Sequence, residues 1–207
     1  MSTAAAAPLL LVLAGPNGAG KSTFYELYLR ELGLRFINAD VIARTLSPGG
    51  PGEPGEAGEP PGLAYRAAQV ADAARRALVA VGESFCMETV FSDPVGAKLA
   101  FLREARGAGY RVVLHFIGLA SPQLSQARVV HRVLNGGHDV PDEKLFARYP
   151  RTLENLLRAA REVDALLLYD NSSAAEPFRH LGRLERGEVV ERHPPVPEWA
   201  HALLPDG

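Results

Sequence analysis

The sequence predicts a three-layer α/β fold: a mainly parallel sheet with helices on both faces and an arginine-bearing helical lid. Three observations predict it. Apolar runs of strand length at 9–14, 35–38, 84–87, 110–118 and 165–169 alternate with stretches of helical period, the pattern of parallel strands joined by crossover helices. The first run leads directly into Gly15-Pro16-Asn17-Gly18-Ala19-Gly20-Lys21-Ser22-Thr23, a complete G-x-x-x-x-G-K-[ST] loop, with helix-compatible sequence behind it. At 207 residues the chain suits a single domain with a substantial core.

Taken in order, helices are expected at 21–32, 63–82, 94–108, 122–135 and 142–161, with a short one at 196–204. Segment 47–62 is Pro or Gly at eleven of its sixteen positions. It cannot bury enough to order itself and reads as a mobile surface loop. The tail from 181 reads as a small β-hairpin with Gly187 in its turn, then a Pro-rich link and a terminal helix carrying Trp199. Packing, not chemistry, is expected there. The whole of 1–207 is thus one domain, with 121–160 as its lid and substrate region and 181–207 as hairpin and C-terminal helix.

A formal charge of −2 provides no basic field, which argues against a nucleic-acid partner. The lone cysteine, Cys86, sits inside an apolar run and reads as a small core residue rather than a nucleophile. Residues 4–14 are apolar but lack a basic leader and end in the glycine loop, so they read as the first strand rather than a signal peptide or membrane span. A soluble, cytoplasmic protein with no membrane partner is expected.

The loop carries the chemistry. Its glycines let backbone N–H groups turn inward on phosphates, Lys21 reaches the β and γ phosphates from the loop, and the Ser22 hydroxyl can hold Mg²⁺. ATP and Mg²⁺ are the expected cofactors of what reads as a P-loop NTPase-type fold. Asp40 closes the run 36–40 at the carboxyl end of a strand, the edge where open α/β sheets bind ligands. It also suits the N-cap of a helix starting at Val41, and both readings stand. Glu88 and Thr89 end the next buried strand, where an unpaired glutamate is expensive and a Mg²⁺-water or substrate-hydroxyl contact would justify it.

Arg128 and Arg132 share one helix face, and Lys144, Arg148 and Arg151 share another, opposite Leu145, Tyr149, Leu153 and Leu156. The connection at 135–141 is glycine-rich and contains His138. A lid closing arginines over phosphoryl oxygens fits this pattern, and so does a solvated amphipathic hairpin. His115 and His131 read as structural, and no Cys/His cluster has zinc spacing.

In order along the chain, GPNGAGKST, the INAD strand end, Ala64-Tyr65-Arg66, Glu88-Thr89, GYRVVLHF, Arg128 and Arg132, GGHDVPDEKLFARYPRTLENL and Tyr169-Asp170-Asn171-Ser172 resemble the zeta-toxin family of P-loop kinases. The resemblance runs from Leu9 to Ser172. It implies transfer of the ATP γ-phosphoryl group to the 3'-hydroxyl of the sugar in UDP-N-acetylglucosamine, and a separate antitoxin as partner. Carried over by position, Lys21 and Ser22 bind nucleotide and Mg²⁺, Asp40 is the base, Glu88 contacts substrate and Arg132 stabilises charge. The family's second lid arginine falls at or near His138, with Arg148 or Arg151 as substitutes. Asp40, Glu88, Thr89, Arg128, His138, Arg148 and Arg151 are the candidate acceptor contacts. A kinase for another hydroxyl acceptor, such as a nucleoside or metabolite, and an ATP-binding switch with slow hydrolysis are the competing readings.

Overall fold

The computed structural model describes residues 6–47, 62–134 and 140–205. Seven strands form one sheet: β1 (Leu9–Ala14), β2 (Arg35–Ile37), β3 (Phe85–Thr89), β4 (Arg111–Gly118), β5 (Ala165–Asp170), β6 (Arg179–Glu185) and β7 (Glu188–Arg192). Their spatial order is β2-β3-β1-β4-β5-β6-β7, the first five parallel and the last two antiparallel. The chain leaves β1 toward β2 on one side and returns across it to β4 on the other. The loop after β1 therefore lies at the point where the strand order reverses, the crevice in which such sheets hold ligands.

Alternation along the strands builds two cores. Leu10, Val12, Phe85, Met87 and Leu114 point to one face, where α3 (Leu63–Val81), α4 (Ala97–Gly107) and α6 (Asp142–Ala159) cover them. Leu11, Leu13, Cys86, Val113 and Ile117 point to the other, against Phe24 and Leu29. Helices on both faces of a mainly parallel sheet are thus as expected. Burial pushes the Cys86 thiol up to about 12, which suits an inert core residue.

Three helices depart from the expectation. The first, expected over 21–32, is α1 (Lys21–Phe24), then a π-helical turn (Tyr25–Leu29) and a 3-10 turn (Arg30–Leu32) ended by left-handed Gly33. Adjacent aromatics are committed to different places: Phe24 packs at 4.8 Å from Tyr169, while Tyr25 stacks on Phe36 at 3.7 Å. A wider turn accommodates both. The second, α2 (Ala39–Leu46), follows β2 directly and begins two residues before the Val41 start that the cap reading of Asp40 supposes. The terminal helix shrinks to a 3-10 turn at Glu198–Ala200, because so short a segment nucleates poorly on its own and its conformation is set by Trp199. That ring occupies the side-chain space of Gly118, where a Cβ would lie 2.1 Å from Cζ2.

The expected hairpin is present as β6 and β7, with Arg186 and Gly187 between them at positive φ. The Pro/Gly segment falls almost wholly outside the described residues, as does His138. No helix among the described residues is long and apolar enough to cross a membrane.

Candidate active site

The phosphate loop is shaped by close approach. Gly15 has φ +150° and a Cβ there would sit 2.2 Å from the Ile117 carbonyl oxygen. Gly18, at φ +72°, would meet the Ser125 carbonyl oxygen at 2.9 Å, and Gly20, at φ +87°, the Asn171 amide at 2.7 Å. Only glycine combines such φ values with such neighbours. Around this core Pro16, Asn17, Ala19, Ser22 and Thr23 complete the loop and the start of α1. Ser125, near the start of α5 (Pro122–Leu134), donates to the Asn17 carbonyl at 2.6 Å, and the Asn171 amide donates to the Ala19 carbonyl at 2.9 Å. The loop is held from two sides.

Lys21 opens α1, where the helix expected over 21–32 begins, and is buried at 7 % exposure rather than standing clear on the loop. The turn into the helix starts one residue earlier, at left-handed Gly20. Its ammonium donates to the Gly15 and Pro16 carbonyls at 3.0 Å each and lies 3.9 Å from Glu88 Oε1. Burial lowers its pKa, with Glu88 and Asp40 opposing and Arg132 adding to the fall.

Glu88 reaches Lys21 because β3 pairs in register with β1, Leu13 facing Glu88. Its Oε2 accepts from the Asn38 amide at 2.8 Å and from the Ser22 hydroxyl at 3.3 Å. Burial raises its pKa. Lys21 opposes, Asp40 adds, and Ser22 and Arg132 oppose further. A hydroxyl and a carboxylate side by side beside an ammonium make a hard-oxygen donor set, which fits Mg²⁺.

Asp40 does not end a strand and does not cap the helix. β2 stops at Ile37 and the cap is Asn38, whose Oδ1 accepts from the N–H groups of Asp40 at 2.7 Å and Val41 at 3.3 Å. Asn is as good a cap as Asp, and it comes first in the chain. Asp40 is left on the exposed first turn of α2, close enough for its charge to act on both Lys21 and Glu88. Sequence reasoning missed Asn38, although an Asn at a strand end two residues before an acidic first turn is itself a capping signal.

Thr89 turns the chain away from the site: its Oγ1 accepts the Phe91 N–H at 3.0 Å, and Phe91 is fully buried at φ +62°. α6 braces this bend through Thr152 to the Val90 carbonyl at 2.9 Å and Asn155 to the Phe91 carbonyl at 2.9 Å. Arg148 and Arg151 lie within one turn of Thr152 and are half-buried, and Arg151 Nε is shielded with no hydrogen-bond partner. They are not the wholly solvated face that one sequence reading allowed.

Arg128 packs over the loop, its Cβ 3.1 Å from where a Gly18 side chain would begin. Burial lowers its pKa, with Asp170 opposing. Arg132, one turn on, is exposed, yet its charge acts on both Lys21 and Glu88. The structure thus gathers Ser22, Asp40 and Arg132 around the Lys21–Glu88 pair. Arg128 stands at the loop's outer wall, and Arg148 and Arg151 are not in that set.

The sequence profile described as an AAA domain matches residues 10–156. The chain belongs to the AAA domain family. The match spans the loop, β3, α5 and most of α6. No curated protein matches the chain. Among solved structures, the AAA domain chain is similar to one from the PezAT chromosomal toxin-antitoxin system of Streptococcus pneumoniae (19 % identity, TM-score 0.57, 82 % of this chain and 70 % of that one). It is also similar to a candidate kinase from Chloroflexus aurantiacus (18 %, 0.53, 70 % and 79 %). A third likeness is to AvrRxo1-ORF1:ORF2 with ATP (17 %, 0.58), where 89 % of this chain aligns with 60 % of that one. At these identities the likeness is one of fold: a P-loop α/β domain.

Proposed function

We propose that this AAA domain protein is an ATP- and Mg²⁺-dependent small-molecule kinase whose acceptor is a sugar-nucleotide hydroxyl, in the first instance the 3'-hydroxyl of UDP-N-acetylglucosamine. The observation that carries the kinase reading is the exposed Asp40 carboxylate placed beside a buried Lys21–Glu88 pair. A nucleotide switch needs a phosphate loop but no second carboxylate on the open side of it. The choice of acceptor follows the zeta-toxin resemblance of the sequence.

In this reading the loop N–H groups and Lys21 hold the β and γ phosphates. Ser22, with Glu88 behind it, would hold Mg²⁺, which supplies charge neutralisation on the phosphate oxygens. Asp40 accepts the proton of the acceptor hydroxyl as the new P–O bond forms and the bond to the β-phosphate oxygen breaks. Glu88, fixed by Asn38, orients the acceptor. Arg132 stabilises charge on the transferring group, and α5 with α6 forms the lid that brings it in.

The test is incubation of the purified chain with ATP, Mg²⁺ and a panel of sugar nucleotides, nucleosides and simple polyols, read by mass spectrometry. A one-phosphate mass gain on UDP-N-acetylglucosamine supports the reading, and a gain on another acceptor moves the substrate while keeping the kinase. ATP turnover that no acceptor accelerates favours the switch. A binding partner of antitoxin type belongs to the same proposal and is tested by co-purification from the source cells.

A further inference from the structure

β6 breaks its own alternation once. Against β5 the register runs Leu167↔Arg183 and Leu168↔Gly182, then jumps to Tyr169↔His180, leaving Leu181 as the extra residue of a β-bulge. Side chains alternate along a regular strand, so without the bulge His180 would point away from the Arg183 face. With it, His180 joins that face, its ring 5.1 Å from Tyr169, while Leu181 is fully buried in the opposite core. Bulges of this kind re-aim a side chain and are built features rather than defects.

What His180 is aimed at comes from the neighbouring strand. Glu191 pairs with Arg183 on β7, and His193 follows two residues later with its ring 5.2 Å from that of His180. One donor atom from each of His180, Glu191 and His193 lies within 4.8 Å of the others. Glu191 Oε1 is shared, 2.7 Å from His193 Nε2 and 3.9 Å from His180 Nδ1. The other oxygen, Oε2, faces Arg183 Nε at 3.7 Å. Nδ1 is the His180 ring nitrogen that faces Glu191, while Nε2 is shielded from water with no hydrogen-bond partner.

We propose that His180, Glu191 and His193 bind one divalent transition-metal ion of the zinc class. Two imidazoles and a carboxylate are the donors that such ions prefer, whereas Mg²⁺ prefers all-oxygen sites, and three protein ligands leave a fourth position for water. Such an ion takes the imidazoles in their neutral form and the carboxylate ionised. His193 is half exposed, so a small rotation opens its hydrogen bond to the spacing of about 3.3 Å that tetrahedral bonds of about 2.0 Å require. Arg183 keeps Oε2 while the ion takes Oε1. The ion would clip β7, last in the sheet order, to β6 beside it. The pattern H-x₁₀-E-x-H is no recognised zinc spacing, and the bulge that completes it is invisible in the sequence.

The experiment is titration of the chelator-stripped full chain with Zn²⁺ by calorimetry, alongside the cobalt absorption spectrum and thermal melts. One equivalent of Zn²⁺ bound, a raised Tm and at least a tenfold weaker Kd in both His180→Gln and His193→Gln are the expected results, the order of loss seen when metal-site contacts are removed. Mg²⁺ in large excess does not compete. No stoichiometric binding by the wild type, or equal affinity in both variants with unchanged circular dichroism, overturns the proposal. Because His193 is half exposed, its variant keeps the fold and the test remains decisive. The result is independent of the kinase reading, since none of the three residues touches the phosphate site.

Discussion

The two sides of Lys21 are built on different terms. Toward β2 and β3, polar groups are tied down: Glu88 is held by Asn38 and Ser22, Asn38 is fixed by capping α2, and the bend after Thr89 is braced by α6. Toward α5, Arg132 stands on exposed helix surface with its charge acting on Lys21 and Glu88, and Arg128 is packed against the loop. Electrostatic catalysis gains most from groups that need not reorganise, while closure over substrate requires a part that can move. The first side has the character of a preset wall, the second of a moving one, and substitutions should separate the two.

The largest effect is expected at the boundary itself. Lys21→Ala removes the charge shared by both sides and should bring phosphoryl transfer to background. Because Lys21 is buried beside Glu88, the variant should also melt lower, so circular dichroism and activity are measured together. Unchanged transfer would dismiss the phosphate-loop reading.

On the moving side, Arg132→Ala should cost about three to five decades in rate, the range for a cation that meets the transferring group in the transition state. kcat and kcat/KM should fall together with ATP affinity kept. Arg132→Lys should recover only part of it, since an ammonium lacks the planar pair of donors. Arg128→Ala should instead weaken ATP binding, because that side chain walls the loop. Equal, small effects at both positions would leave α5 a solvated helix.

On the preset side, Asp40→Asn should lower the acceptor-dependent rate by about two to four decades, the range for a positioned base. Its Tm should not move, because the cap is Asn38. Asn38→Ala should do both, losing about 1 kcal/mol in chemical denaturation along with rate. Asn38→Asp keeps the cap but sets a carboxylate against Glu88, so it should recover stability without activity.

The smallest effect is a pH dependence. Glu88 has a raised pKa, chiefly from burial, so the folded chain holds that proton more tightly than the unfolded one. Between the ordinary and the raised value, stability falls as pH rises. Glu88→Gln removes this, and its melting temperature relative to wild type should climb as the pH rises above the ordinary carboxylate range. A flat difference would mean that Lys21, Ser22 and Asn38 fully offset the burial.

Much of this was legible in the chain. Buried parallel strands write themselves as apolar runs, and the glycine loop is contiguous, so β1 to β5 and the phosphate site follow from local sequence. Contacts across 50 and 66 residues, such as Asn38 and Ser22 on Glu88, have no local signature. Asp40 suits the cap by residue type, but two residues upstream Asn38 has the same chemistry and the better position. The π-helical turn carries the Tyr25 and Phe36 stacking, a pairing that helical period does not encode.

Trp199 fills the missing side chain of Gly118, lies 5.6 Å from the Phe116 ring, and donates its indole N–H to Asp170 Oδ1 at 3.2 Å. Asp170 is also the carboxylate that Arg128 senses. As the sole tryptophan of the sequence, it gives the protein a built-in fluorophore one residue away from the loop's outer wall. Emission colour and quenching would therefore report, without any label, when nucleotide arrives and when the strand edge of β4 and β5 parts from the C-terminal segment.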